Sequence, residues 1–112
     1  SLDTLKIELE SKTEEMAQFE VRNSDLDMND HVNNTRYAHW ILDSIPVEWH
    51  KQFRLQAYEI NFLEETRLGD VISIRKSSPL TIDDQKSKVQ FQGVRQRTGK
   101  VAFVSNLVIE PT

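Results

Sequence analysis

Residues 21–37 read Val21-Arg22-Asn23-Ser24-Asp25-Leu26-Asp27-Met28-Asn29-Asp30-His31-Val32-Asn33-Asn34-Thr35-Arg36-Tyr37. The run from Asn23 to Asp30 is made of residues that favour turns and helix caps. A helix pattern follows it at once, so carboxylates, amides and an imidazole stand just before a helix N-terminus. Such a terminus offers unpaired backbone N–H groups and a partial positive charge. Those donors can hold a carbonyl oxygen as it becomes an oxyanion, while a carboxylate or a polarised water attacks beside it. A plainer account also fits: Asp25, Asp27, Asn33 and Asn34 as turn and N-cap residues. Composition alone favours the plainer account.

Downstream, Tyr37, Trp40, Ile41, Ser44 and Ile45 fall at i, i+3, i+4, i+7 and i+8. That is one mostly apolar helical stripe, with Arg36 and Asp43 off it. Pro46 disfavours helix at Ile45 and ends it there. Pro46 can open a further short helical turn, with Trp49 and Phe53 four apart. The rest is strand-like: Leu55 to Thr66 with charges on both faces, a turn at Gly69-Asp70, then Val71 to Lys76. Ser77 to Ser87 reads as a loop. Val89 to Gln96 and Val101 to Ile109 form a hairpin about Thr98-Gly99. Upstream, Ala17, Phe19 and Val21 alternate with polar residues as a half-buried strand. Leu5, Ile7 and Leu9 alternate as well, so residues 1–12 read as an edge strand or an incoming linker. One long helix between a first strand and a run of antiparallel strands predicts an α+β fold.

A chain of 112 residues is one domain as a prior, and 38% hydrophobic with 29% charged residues is an ordinary folded balance. With no cysteine, a disulfide framework, a Cys-bound metal and a thiol nucleophile are excluded within this chain. A formal net charge of −4 argues against a general nucleic-acid binder. No apolar run approaches a membrane span, so no membrane partner is expected.

The 21–37 segment resembles the acyl-carrier-protein thioesterases of bacteria and plant plastids, whose signature reads like Ser-Asp-Leu-Asp-Met-Asn-x-His-Val-Asn-Asn-x-x-Tyr. More loosely it resembles the wider hot-dog thioesterase superfamily. The likeness continues through the aromatic helix to Pro46, along Tyr58-Glu59-Ile60-Asn61-Phe62-Leu63-Glu64-Glu65, and into Gly69-Asp70-Val71. It implies a hot dog, a long helix wrapped by a curved antiparallel sheet. It also implies hydrolysis of the fatty acyl thioester of acyl carrier protein, a place in fatty acid biosynthesis, and no cofactor or metal. Asp27, Asn29 and His31 match motif positions assigned to catalysis, and Glu65 matches an acidic catalytic position on the facing strand. A slip of one residue would put Glu64 there instead. Thr66 stands where plant relatives carry a cysteine, so a carboxylate-activated water is expected, its base Asp27 or Glu65.

Full-length relatives carry two tandem hot dogs with the signature in the second, and this chain opens about where the second would begin. It is expected to be an excised half or a single-domain relative, paired as a homodimer or with an upstream hot-dog domain. A bacterial cytoplasmic setting is expected. Asn33 and Asn34 are assigned to capping and substrate positioning, and Asp25 to orienting the loop. Tyr37 and Trp40 are read as core residues that also offer a wall for the acyl chain. His39 and His50, without ligand-spaced partners, are structural or surface residues. Arg95, Arg97 and Lys100 flank the last hairpin turn, as a solvated tip or a docking patch for an acidic carrier protein. Two alternatives stay open: an acyl-coenzyme A thioesterase, and a non-catalytic acyl-binding or dimerisation module.

Overall fold

The computed structural model of the chain describes residues 7–112. Eight elements follow in order: β1 (Glu14–Glu20), α1 (Asn34–Ser44), α2 (Val47–Gln52), β2 (Phe53–Phe62), β3 (Val71–Lys76), β4 (Leu80–Thr81), β5 (Ser87–Arg95) and β6 (Val101–Pro111). The strands make one antiparallel sheet in the order β1-β3-β5-β6-β2, with the two-residue β4 beside β5. The helices are therefore inserted between the two edge strands, β1 and β2.

Asn33 caps α1: its side-chain oxygen accepts the N–H of Thr35 at 3.0 Å. Ile45 is extended, and Pro46 opens α2, as the proline predicts. The stripe of α1 buries Tyr37, Trp40, Ile41 and Ser44 against the sheet. Trp40 stacks on Phe19 of β1, while Tyr37 lies edge-on to Trp40 and 4.6 Å from the Phe103 ring of β6. Large aromatic rings bury much area each, and this group joins the helix to both halves of the sheet. Gly93 of β5 makes room for it. A Cβ there would fall inside the ring of Phe103, a side chain with no exposed surface. Gly69 and Gly99, with φ of 88° and 71°, make the two expected turns.

Two expectations change. The strand expected over Leu55 to Thr66 runs from Phe53 to Phe62, and Leu63 to Asp70 is loop. Ile7 to Thr13 forms no strand; Leu5 lies outside the described residues. The main chain of residues 7–10 is held across the sheet by side chains instead. The N–H of Ile7 donates to Asn61 on β2. Gln90 on β5 takes the Glu8 carbonyl and the Glu10 N–H, and Gln92 takes the Glu10 carbonyl. The alternation does not carry into burial, since Leu9 is exposed like Glu8 and Glu10, and an interior sheet face offers no free ladder to join.

Candidate active site

The loop ahead of α1 is organised by its own carboxylates. Asp27 accepts the backbone N–H groups of Asn29 at 2.8 Å and His31 at 3.1 Å. These two donors hold its carboxyl below the usual carboxylate range. Asp30 takes the left-handed conformation (φ 62°) that the tight loop demands and that a short polar side chain tolerates. Asp25 is buried, accepts the N–H of Arg22 and pairs with Arg36 at 2.8 Å, so it orients the loop as expected. An oxygen that already serves two N–H groups and has a depressed pKa is a weak proton acceptor. Of the two candidate bases, Glu65 has the better chemistry.

Glu65 sits after β2, not on it, and its carboxylate contacts Nδ1 of His31. Both side chains are about half exposed. Its neighbours in the chain fix it there. Glu64 turns the opposite way, onto Arg95. Thr66, 1% exposed, shares a 2.8 Å hydroxyl–hydroxyl hydrogen bond with Tyr37. Burial pushes the Tyr37 phenol above its ordinary value, with a smaller push from the charge of Glu65, so it stays protonated near neutrality.

His31, Asn34, Tyr37, Glu64 and Glu65 line a cleft of about 320 Å³. A second cavity, about 530 Å³, runs between α1 and β2 over Ile41, Leu42, Leu55, Tyr58, Ile60 and Leu107. Asn34 and Phe62 belong to both walls, so the apolar cavity and the polar cleft adjoin at the first residue of α1.

Of the expected site residues, His31, Glu65, Asn34 and Tyr37 come together. Asp27 and Asn29 stand on the exposed loop beside the cleft and do not line either cavity. Trp40 is 2% exposed and lines neither, so it is core and not an acyl-chain wall. Asn33 is spent on the helix cap. Arg95 corrects the docking expectation. It is 5% exposed and paired with Asp70 and Glu64, leaving Arg97 and Lys100 at the hairpin surface. The apolar residues of β2 that wall the apolar cavity went unassigned. Their signal is present as Leu55, Tyr58 and Phe62, large and apolar on a strand that stays exposed.

The helix laid on a curved antiparallel sheet is the hot-dog fold. The 12:0-ACP thioesterase from Umbellularia californica shares it at a TM-score of 0.81 and 17% identity, over 98% of this chain and 41% of that one. Residues 8–105 match the family model described as the acyl-ACP thioesterase C-terminal domain, and the chain belongs to that family. It is 39% identical over 66 residues to oleoyl-acyl carrier protein thioesterase 1, chloroplastic, of Arabidopsis thaliana, covering 54% of this chain and 18% of that protein. With the oleoyl-acyl carrier protein thioesterase, chloroplastic, of Coriandrum sativum it shares 34% over 84 residues, covering 70% of this chain and 23% of the relative. The chain thus spans about a fifth of the length of these curated relatives.

Proposed function

We propose that this domain hydrolyses the thioester linking a fatty acyl group to acyl carrier protein. The observation that carries the reading is the Glu65–His31 pair in a cleft that adjoins an apolar cavity, with Asn34 of the helix N-terminus where the two meet. The acyl chain lies between α1 and β2, and its carbonyl sits at the N-terminus of α1, whose N–H groups and dipole favour the developing oxyanion. Glu65 takes a proton from water as the water oxygen bonds to the carbonyl carbon. The tetrahedral intermediate collapses, the C–S bond breaks, and the carrier's thiolate leaves and is protonated. His31 orients Glu65 and the water. Asp27 shapes the loop through its two N–H bonds, one of them from Asn29.

The family and the names of its relatives support acyl carrier protein as the partner, and Arg97 and Lys100 at the hairpin are the charges assigned to its docking. β2 is an edge strand that exposes Leu55, Tyr58 and Phe62. An uncovered apolar edge invites a partner. A second hot-dog unit, from another copy or a longer chain, is the reading's partner for this edge. Among the described residues no helix is long and apolar enough to cross a membrane. The reading sets the reaction in the cytoplasm of a bacterium, while the curated relatives above are chloroplastic by name.

The test assays the chain, alone and joined to a second hot-dog unit, on acyl-carrier and acyl-coenzyme A thioesters of several lengths. Glu65→Gln is expected to lower turnover at least about 100-fold, as loss of a general base does. Full turnover in Glu65→Gln rejects the mechanism. Hydrolysis of the coenzyme A thioesters alone rejects the carrier.

A further inference from the structure

Arg95 is a buried cation outside both cavities, on the last residue of β5 and far in sequence from the loop it touches. Its Nη1 donates to Glu64 Oε1 and its Nε to Asp70 Oδ2 at 3.0 Å, with Nη2 also 3.0 Å from that oxygen. Asp70 Oδ2 accepts the Arg67 N–H at 2.8 Å as well. One guanidinium therefore grips the start of the 63–70 loop through Glu64 and its end through Asp70. The backbone of this loop is also tied at both ends: the N–H groups of Leu63 and Glu64 donate to the Ala102 carbonyl, while the Val21 N–H donates to the Asp70 carbonyl and the Val21 carbonyl accepts the Gly69 N–H. Glu64 stands at a bend, and its carboxylate meets Arg95 while that of the next residue, Glu65, meets His31. Holding Glu64 against Arg95 thus commits Glu65 to the His31 side.

We propose that Arg95 is a positioning residue for the reaction, holding Glu65 against His31 by anchoring Glu64 and Asp70 beneath it. The catalytic part of this rests on the function proposed above; the positional part does not. A Lys at this place could meet one carboxylate but not fork between two.

The test follows the His31 ring resonances in labelled wild type, Glu65→Gln, Arg95→Gln, Arg95→Lys and Glu64→Gln, alongside turnover on acyl-pantetheine. Arg95→Gln should move the His31 signals in the direction set by Glu65→Gln and leave those of His50 in place. Misplacing a reacting group by an ångström costs about 100-fold. Turnover should therefore fall by about 10- to 100-fold with KM changed less than about threefold, and Arg95→Lys should recover part of it. If Arg95→Gln does not fold, Glu64→Gln removes one arm of the grip and should still move the His31 signals. Wild-type His31 signals in a folded Arg95→Gln or in Glu64→Gln overturn the proposal. If the parent hydrolyses no thioester while the signals move as expected, the positioning stands and the proposed reaction falls by itself.

Discussion

Tyr37→Phe removes one oxygen atom, and the structure sets what that costs. The Tyr37 hydroxyl and Thr66 Oγ1 are 2.8 Å apart, and the two residues are 5% and 1% exposed. Without the phenol, the threonine hydroxyl is left in a dry place with its partner gone, a penalty of about 1–3 kcal/mol. Thr66→Val leaves the phenol in the same position at a similar cost of about 1–3 kcal/mol. Removing both partners is different, because neither group is then left unsatisfied. The double variant should lie within about 1 kcal/mol of wild type, so the cycle closes with a coupling of about 1–6 kcal/mol, the two single costs less that of the double. Because burial keeps the phenol protonated, the coupling should be the same across neutral pH. Urea unfolding followed by tryptophan fluorescence measures it, since Trp40 is buried edge-on to Tyr37. Costs that add to within about 0.5 kcal/mol would show that the two hydroxyls do not act as a pair. The anchor on the residue after Glu65 would then be lost from the argument.

Four further outcomes are expected. Gly93→Ala should destabilise by about 1–3 kcal/mol or more, because the Phe103 ring it strikes is boxed in by Tyr37 and Trp40; an unchanged melting temperature refutes this. Asp27 has its folded pKa lowered, so its contribution to stability is present above the unfolded value, about pH 4, and fades as pH falls through the lower folded one. Asp27→Asn should flatten that acid limb in a pH series of melting temperatures, and an identical acid limb in both proteins would remove the loop-shaping role. The exposed β2 edge should make the lone chain a dimer at micromolar concentration, and light scattering that finds only monomer counts against a partner there. Charge reversal at Arg97 and Lys100 should raise KM for acyl carrier protein and spare acyl-pantetheine; equal effects on both substrates reject docking at that hairpin.

Much of the frame was legible because it obeys local rules. The stripe of α1, its Asn33 cap, the stop at Pro46 and the turns at Gly69 and Gly99 each depend on neighbours in sequence. The resemblance named His31 and Glu65, and the fold brings these two side chains together in one cleft. What escaped was non-local. Arg95 beside a hairpin turn reads as a surface charge, and only the fold brings it Glu64 and Asp70, 31 and 25 residues away. The Tyr37–Thr66 bond spans 29 residues and leaves no trace in either local pattern. Asp27 was legible both as a site carboxylate and as a turn residue, and its bonds to two N–H groups of its own loop follow the second reading. Glu64, in sequence only the one-residue alternative to Glu65, is an ion-pair partner of the buried Arg95.

Among the described residues, the hydrogen bonds that fix residues 7–10 over the sheet all go to main chain: the N–H groups of residues 7 and 10 and the carbonyls of residues 8 and 10. Asn61, Gln90 and Gln92 therefore read backbone and are blind to side chains. Residues 8–12 are free to drift in composition, and their exposed side chains can carry labels or tags without loosening the attachment. Proline is the exception at positions 7 and 10, where it has no N–H to give. The burden of keeping this attachment falls on the three amides in the sheet, so its heritable code is written some 50 to 80 residues away from the segment it secures.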